Sequence, residues 1–249
     1  MKIIFYTTST LSDVQEVNSM CISHYFNEYK HTVIDGRYGW FTIWYKWLDM
    51  AYDDMAEWYI YVDEDCFILD RQPILDTIDY MEKNGYDIAG SPDGCCEYRS
   101  CNYMALNSYF MIVNRRCVEA WHNRPSTIPQ FKKEWIRPYP FEKRNDYTFI
   151  YDMEFGTSGK PLGQIWRAGS EPYYDFFWVL MDKGMRFLYI EPLYGEKYQT
   201  SDLLDHTIMH LWHQRERYAD YNVSPTMHKG SNKDRYDNAL RYVKNKINK

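Results

Sequence analysis

The chain has 249 residues and a formal net charge of −6, enough for one large α/β core near the size limit of a single domain. The acidic balance argues against a nucleic-acid partner, whose binding surface is normally basic. No apolar stretch approaches the roughly 20 residues that a membrane span requires.

The N-terminus lacks a basic leader and a cleavage site, so a cytoplasmic protein is expected. The chain carries 25 Tyr, 9 Trp and 12 Phe, whose flat faces and polar handles suit sugar or base recognition; a biased composition gives the same enrichment. Cys21, Cys66, Cys95, Cys96, Cys101 and Cys117 are read as free thiols of a reducing compartment rather than disulfides. Cys95, Cys96 and Cys101 lie close together, but no partner pair follows at zinc-ligand spacing.

Lys2-Ile3-Ile4-Phe5-Tyr6 predicts an opening strand, and the hydroxyl run Thr7-Thr8-Ser9-Thr10 after it can cap a helix or bond a ligand. Val14, Val17, Met20, Cys21 and His24-Tyr25 predict an amphipathic helix over 12–29. A short strand follows at 32–35, closed by Gly36-Arg37-Tyr38-Gly39. Residues 40–55 place Trp40, Ile43, Trp44, Trp47, Leu48 and Ala51 on one helical face. This alternation predicts a parallel sheet with crossover helices.

The next strand organises the chain. Trp58-Tyr59-Ile60-Tyr61-Val62 is apolar or aromatic throughout, which suits a strand buried on both faces. It runs straight into Asp63-Glu64-Asp65, and apolar residues resume at Cys66-Phe67-Ile68. Unpaired buried carboxylates cost several kcal/mol, so the acids belong at the strand's carboxyl end, where open α/β sheets bind ligands. In extended backbone Asp63 and Asp65 point one way and Glu64 the other. Hard carboxylate oxygens suit Mg²⁺ or Mn²⁺, which usually also take oxygens from a substrate phosphate. A solvated acidic turn is the competing reading.

Beyond Pro73 a helix runs to about Lys83 and stops at Asn84-Gly85. A strand over 86–90, a loop over the site at 91–103, a buried strand at 105–114 and a helix of about ten residues come next. Residues 123–141 hold four prolines and read as a surface insertion or substrate-facing loop; no element is predicted over 145–169. Ser170-Glu171-Pro172 has the form of a helix start, and Lys183-Gly184 of its stop. A strand over 187–190, an apolar histidine-bearing segment at 207–213 and a peripheral helix or tail at 229–249 complete the chain.

Four blocks, in this order, resemble GT-A glycosyltransferases across roughly residues 1–215. Asp63-Glu64-Asp65 behind its aromatic strand is similar to their DxD region. Asn107-Ser108-Tyr109-Phe110-Met111-Ile112-Val113-Asn114 resembles the strand lining their acceptor side. Pro172-Tyr173-Tyr174-Asp175-Phe176-Phe177-Trp178 up to Gly184 resembles the acidic helix start that often holds the base of inverting members. His210-Leu211-Trp212 is similar to the C-terminal histidine that completes the metal site in several groups. Two features depart from the pattern. The helix start lacks the Glu-Asp pair common in inverting enzymes, and the histidine lacks the Gly and Lys that follow it in glycogenin-like retaining enzymes.

The resemblance implies a Rossmann-like α/β fold: a mixed, mainly parallel central sheet flanked by helices in a single compact domain. Its donor half would span 1–105, its acceptor and catalytic half 106–215, and a peripheral tail 216–249. It implies transfer of a sugar from a nucleotide-sugar donor to a glycan or other hydroxyl acceptor, in glycan biosynthesis, with Mn²⁺ or Mg²⁺ held by Asp63, Asp65 and His210. Thr7, Thr8, Arg37, Asp63 and Asn107 are the candidates for donor contact. Arg37 suits bidentate phosphate binding, and a solvated turn arginine is its plain alternative.

An acceptor hydroxyl needs a carboxylate to take its proton in the inverting route. Asp175, then Glu171, is the candidate; four apart, they could share a helical face, or be first-turn acids stabilised by the helix dipole. His206, His210 and His213 could share a helical face and hold zinc, but one His completing a carboxylate site fits better, with His210 ahead of His213. Two further classes stay open. One is a non-catalytic carbohydrate- or nucleotide-binding protein of this fold. The other is a metal-dependent nucleotidyltransferase or phosphohydrolase, which would more often carry a glycine-rich loop where Thr7-Thr8-Ser9-Thr10 stands.

Overall fold

Apolar residues on both faces of the first and third strands place them inside a six-stranded sheet. The computed structural model describes residues 1–10, 12–37, 40–93, 104–132, 135, 173–194, 200–211 and 232–248. The sheet contains β1 (Ile3–Ser9), β2 (Lys30–Asp35), β3 (Trp58–Val62), β5 (Ile88–Pro92), β6 (Leu106–Asn114) and β7 (Phe187–Tyr189), in the order β2-β1-β3-β6-β5-β7. β1 pairs in parallel with β2 and β3, and β5 with β7, while β6 runs antiparallel between β3 and β5. Five strands thus share one direction, and the sheet is mixed and mainly parallel, as expected. Its helices are α1 (Ser12–Tyr25), α2 (Trp40–Asp54), α3 (Gln72–Asn84), α4 (Arg115–His122) and α5 (Tyr174–Asp182).

Strand alternation divides the core. Ile4, Tyr6, Tyr59 and Tyr61 face an aromatic layer with Trp44 and Trp47 of α2, Trp121 of α4, and Phe176 and Phe177 of α5. Ile3, Phe5, Trp58, Ile60 and Val62 face the other way, onto Ile22 of α1 and Ile74, Ile78 and Met81 of α3. All five residues of β3 are buried. The acids that follow it therefore stand at the carboxyl end of a central strand.

A second sheet was not expected. β4 (Cys66–Ile68), β8 (Leu193–Tyr194), β9 (Thr200–Leu203) and β10 (Ile208–Leu211) pair antiparallel in the order β4-β10-β9-β8. Ile68, Leu203 and Ile208 join the core against β3. Phe67, Met209 and Leu211 pack instead with Val14, Val17 and Cys21 of α1 and with Leu240, Val243 and Ile247 of α6 (Asn232–Ile247). The polar tail thus contains a helix whose apolar side covers this small sheet.

Two expectations change. The first helix ends at Tyr25 rather than at 29, because Phe26 turns in against Phe5, with ring centroids 4.9 Å apart. Residues 208–211 form a strand, so His206 and His210 share no helical face; His206 has left-handed backbone (φ 66°), with Nδ1 2.6 Å from Asp202. His213 lies outside the described residues, as do Ser170, Glu171 and Pro172.

The glycine stops hold. Gly85 and Gly184 have φ of 70° and 73°, a conformation glycine adopts without the Cβ penalty. Cys21, Cys66 and Cys117 are buried free thiols; Cys95, Cys96 and Cys101 lie outside the described residues. Among the described residues no helix is long and apolar enough to cross a membrane.

Candidate functional site

The three acids form the turn that carries the chain from the large sheet to the small one. Its peptide groups are held from three sides. Asp63 N–H donates to Tyr109 O on β6 (2.8 Å), and Leu211 N–H on β10 donates to Asp65 O (2.9 Å). From α1, the buried Asn18 side chain donates through Nδ2 to the carbonyls of Asp63 (3.1 Å) and Cys66 (2.7 Å). Buried backbone groups need such partners, so the turn has a fixed shape.

Each acid has a different neighbour. Tyr61 donates its hydroxyl to Asp63 Oδ1 at 2.9 Å. Burial, with the Asp63 charge adding, pushes the Tyr61 phenol well above its ordinary pKa, so it stays a proton donor. Glu64 turns towards the end of β1, where it accepts from Ser9 Oγ (2.8 Å), Thr10 N–H (2.6 Å) and Thr10 Oγ1 (2.9 Å). Asp65 Oδ1 stands 3.4 Å from His210 Nε2.

Strand pairing explains that last contact. His210 lies opposite Cys66 in the β10–β4 register, one residue from Asp65. Its ring stacks on Tyr109 with centroids 4.2 Å apart and planes 4° from parallel, which fixes the imidazole plane. Among the described residues no three His, Cys, Asp or Glu side chains gather closely enough to hold a metal ion alone. The Asp65–His210 pair offers one carboxylate and one imidazole, donor types that a divalent cation takes.

The other candidates stand at or near the ends of other strands and helices. Thr7 is fully buried, with its hydroxyl 3.3 Å from Asn18 Oδ1 and 3.0 Å from His31 Nε2. Thr8 is buried at the same strand end. Arg37 donates through Nε to Asp35 Oδ1 (2.9 Å) and Oδ2 (3.1 Å), and this guanidinium holds the Asp35 carboxyl down at about 2. Asn107 donates through Nδ2 to Asp93 at 2.9 Å. Asp175 occupies the first turn of α5; it is exposed, yet partial desolvation of its carboxyl raises its pKa above the usual carboxylate value.

Several residues at the site carried no recognisable sequence signal. Asn18 and Tyr61 shape the acidic turn and its first carboxylate. Asp93, fully buried, accepts from Asn107 and from the hydroxyls of Tyr173 (3.1 Å) and Tyr174 (2.7 Å). The Trp44 ring lies 5.8 Å from Tyr61 and 5.5 Å from Tyr173, so an aromatic layer joins the acidic turn to the start of α5. In a chain this rich in Tyr and Trp, no single one stands out.

No family model matches the chain, and no curated protein matches it. Among solved structures it is similar to A197 from STIV, at 13% identity over 92% of this chain and 100% of that one, with a TM-score of 0.44. It is also similar to a glycosyltransferase involved in the glycosylation of the major capsid of PBCV-1, at 14% identity over 60% of this chain and 76% of that one, with a TM-score of 0.38. Mouse xyloside xylosyltransferase 1, apo form, matches at 12% identity over 76% of this chain and 84% of that one, with a TM-score of 0.37. What the site does is inferred from its own geometry.

Proposed function

We propose that this protein is a glycosyltransferase that uses Mn²⁺ or Mg²⁺ and moves a sugar from a nucleotide-sugar donor to a glycan or other hydroxyl acceptor. The observation that carries this reading is the meeting of Asp65 and His210, 3.4 Å apart, at the carboxyl end of β3. One carboxylate and one imidazole suit a hard-to-borderline divalent ion. Bound there, the cation supplies Lewis-acid neutralisation of the charge that develops on the departing diphosphate.

The chain's own residues divide the remaining work. Asp65 and His210 would hold the ion, with the imidazole plane set by Tyr109. Asp63, oriented by the Tyr61 hydroxyl, serves the ion or the donor ribose. Glu64 closes the connection between β1 and α1 and so shapes the donor side without touching it. Asp175 takes the acceptor proton if the reaction inverts, and a raised pKa suits a base working near neutral pH. If the reaction retains configuration, Asp175 binds the acceptor instead.

A screen of nucleotide sugars with Mn²⁺ and with EDTA tests the proposal. The expected result is metal-dependent hydrolysis or transfer with at least one donor. Absence of turnover with every donor, together with nucleotide binding indifferent to metal, would overturn it.

A further inference from the structure

We infer that Asp93 is a positioning residue: its buried carboxylate ties the end of β5, the start of β6 and the first turn of α5 to one point, and so sets where the Asp175 carboxyl stands. The inference rests on the reading of Asp175 as the acceptor-side acid. Asp93 is itself placed by the sheet, since its N–H donates to Ala105 O at 2.8 Å. From that position Oδ1 accepts from Asn107 Nδ2 at 2.9 Å, and Oδ2 accepts from the hydroxyls of Tyr174 at 2.7 Å and Tyr173 at 3.1 Å. A carboxylate buried this deeply is tolerated only where it is well hydrogen-bonded. Any shift of the first turn of α5 therefore withdraws donors from a site where water does not replace them.

That constraint acts at the start of α5. Tyr173 occupies the cap position without a side-chain cap bond, and its carbonyl accepts from Phe176 N–H at 3.2 Å in the first turn. Phe176, Phe177, Val179 and Leu180 bury the body of the helix, and the two hydroxyls on Asp93 add the constraint at the end that carries Asp175. The ring of Tyr173 also packs on Trp44, which packs on Tyr61, the donor to Asp63. One point of attachment thus relates the acceptor-side acid to the donor-side acids.

A buried acid with no other duty would lower stability when removed and do nothing more. Asp93→Asn and Tyr174→Phe in the full chain separate the two cases. Tyr174→Phe deletes one hydroxyl and keeps the ring; if Asp93→Asn fails to fold, it carries both readouts alone. The first readout, independent of turnover, is the titration midpoint of Asp175 followed by carbon-13 NMR of its carboxyl. Both variants are expected to move that midpoint down towards the value of an ordinary aspartate, as water gains access.

The second readout is kinetic. Acceptor kcat/KM should fall about tenfold or more, the sensitivity that misplacement of a reacting group produces, while donor KM stays within about twofold. The double variant should be no worse than Asp93→Asn alone, because both act through one link. An unchanged Asp175 midpoint with wild-type acceptor kinetics overturns the inference, and so does a loss of stability alone. If the wild type transfers no sugar from any donor, the glycosyltransferase reading falls by itself. The NMR midpoint then decides on Asp93: a midpoint unmoved in Tyr174→Phe overturns it.

Discussion

His210 Nε2 and Asp65 Oδ1 stand 3.4 Å apart because β10 pairs with the strand that begins immediately after the acidic turn, placing His210 opposite Cys66. The backbone ladder, more than any attraction between the two side chains, sets this distance. Asp65→Ala should therefore abolish Mn²⁺-dependent turnover and metal-dependent nucleotide binding while leaving cooperative unfolding intact. His210→Ala should weaken Mn²⁺ affinity by about 10-fold or more, with His213→Ala as the control. If the His213 variant shows that loss and the His210 variant does not, the pairing of Asp65 with His210 has no bearing on the metal.

Tyr61 supplies a finer test. Its hydroxyl donates to Asp63 Oδ1 at 2.9 Å, and a hydrogen bond to a charged group is worth about 1.5–3 kcal/mol. Tyr61→Phe keeps the ring against Trp44 and Trp47 and removes that bond together with the contact of the hydroxyl to Thr8. Donor affinity should drop by about 10-fold or more, with little change in acceptor KM. Equal donor affinity in wild type and variant, measured by calorimetry, would remove Tyr61 from the donor side.

Glu64 should behave unlike its neighbours. It fastens Ser9 and Thr10 through three hydrogen bonds, so Glu64→Ala leaves those donors to find water at a half-buried site. The cost should be at least about 2 kcal/mol in urea unfolding at unchanged m, with a smaller loss for Glu64→Gln, which retains one acceptor oxygen. Metal affinity should change less than in Asp65→Ala. A Glu64→Ala protein as stable as wild type would contradict the structural role.

How legible these features were in the sequence follows from their physics. β3 and its acids were visible because a fully apolar run meeting three carboxylates has one sensible location in an α/β sheet. The ends of α3 and α5 were visible because Gly85 and Gly184 sit where left-handed backbone is needed. The small sheet was not, since strands as short as Cys66–Ile68 and Leu193–Tyr194 show no period and find their partners far along the chain. His210 was picked out by resemblance, but its strand was not: so short an apolar run fits helix and strand alike. The Asp93 cluster was hidden for another reason. An acid in a polar loop and two tyrosines among 25 give no local sign that they meet.

His31 predicts a pH effect on stability. Its pKa is lowered from 6.5 to about 4 by burial, beside the Thr7 hydroxyl. Below its ordinary pKa the unfolded chain binds a proton that the folded chain refuses, so the unfolded state gains as pH falls. Stability should decline from about pH 6.5 towards pH 4, by an amount on the order of 3 kcal/mol at most for this group, at 1.36 kcal/mol per pKa unit. His31→Gln should flatten that part of the profile relative to wild type. Parallel profiles for the two proteins over that range would mean that His31 titrates normally.

Asp175 carries the last prediction. Partial desolvation raises its pKa, so its carboxyl stays protonated to a higher pH than an ordinary aspartate. A base must be deprotonated to accept the acceptor's proton, so transfer should be lost as pH falls through that raised value, above that of an ordinary aspartate. Asp175→Asn should lower kcat by about a hundredfold or more, the usual contribution of general base catalysis, and remove the acidic limb of the profile. Donor affinity should stay constant, because the base meets the acceptor and not the diphosphate. Glu171→Gln is the control, since Glu171 is the other candidate acid, four positions before Asp175. A product that keeps the donor's anomeric configuration would leave Asp175 no proton to take. Asp175→Asn should then raise acceptor KM and leave the acidic limb in place.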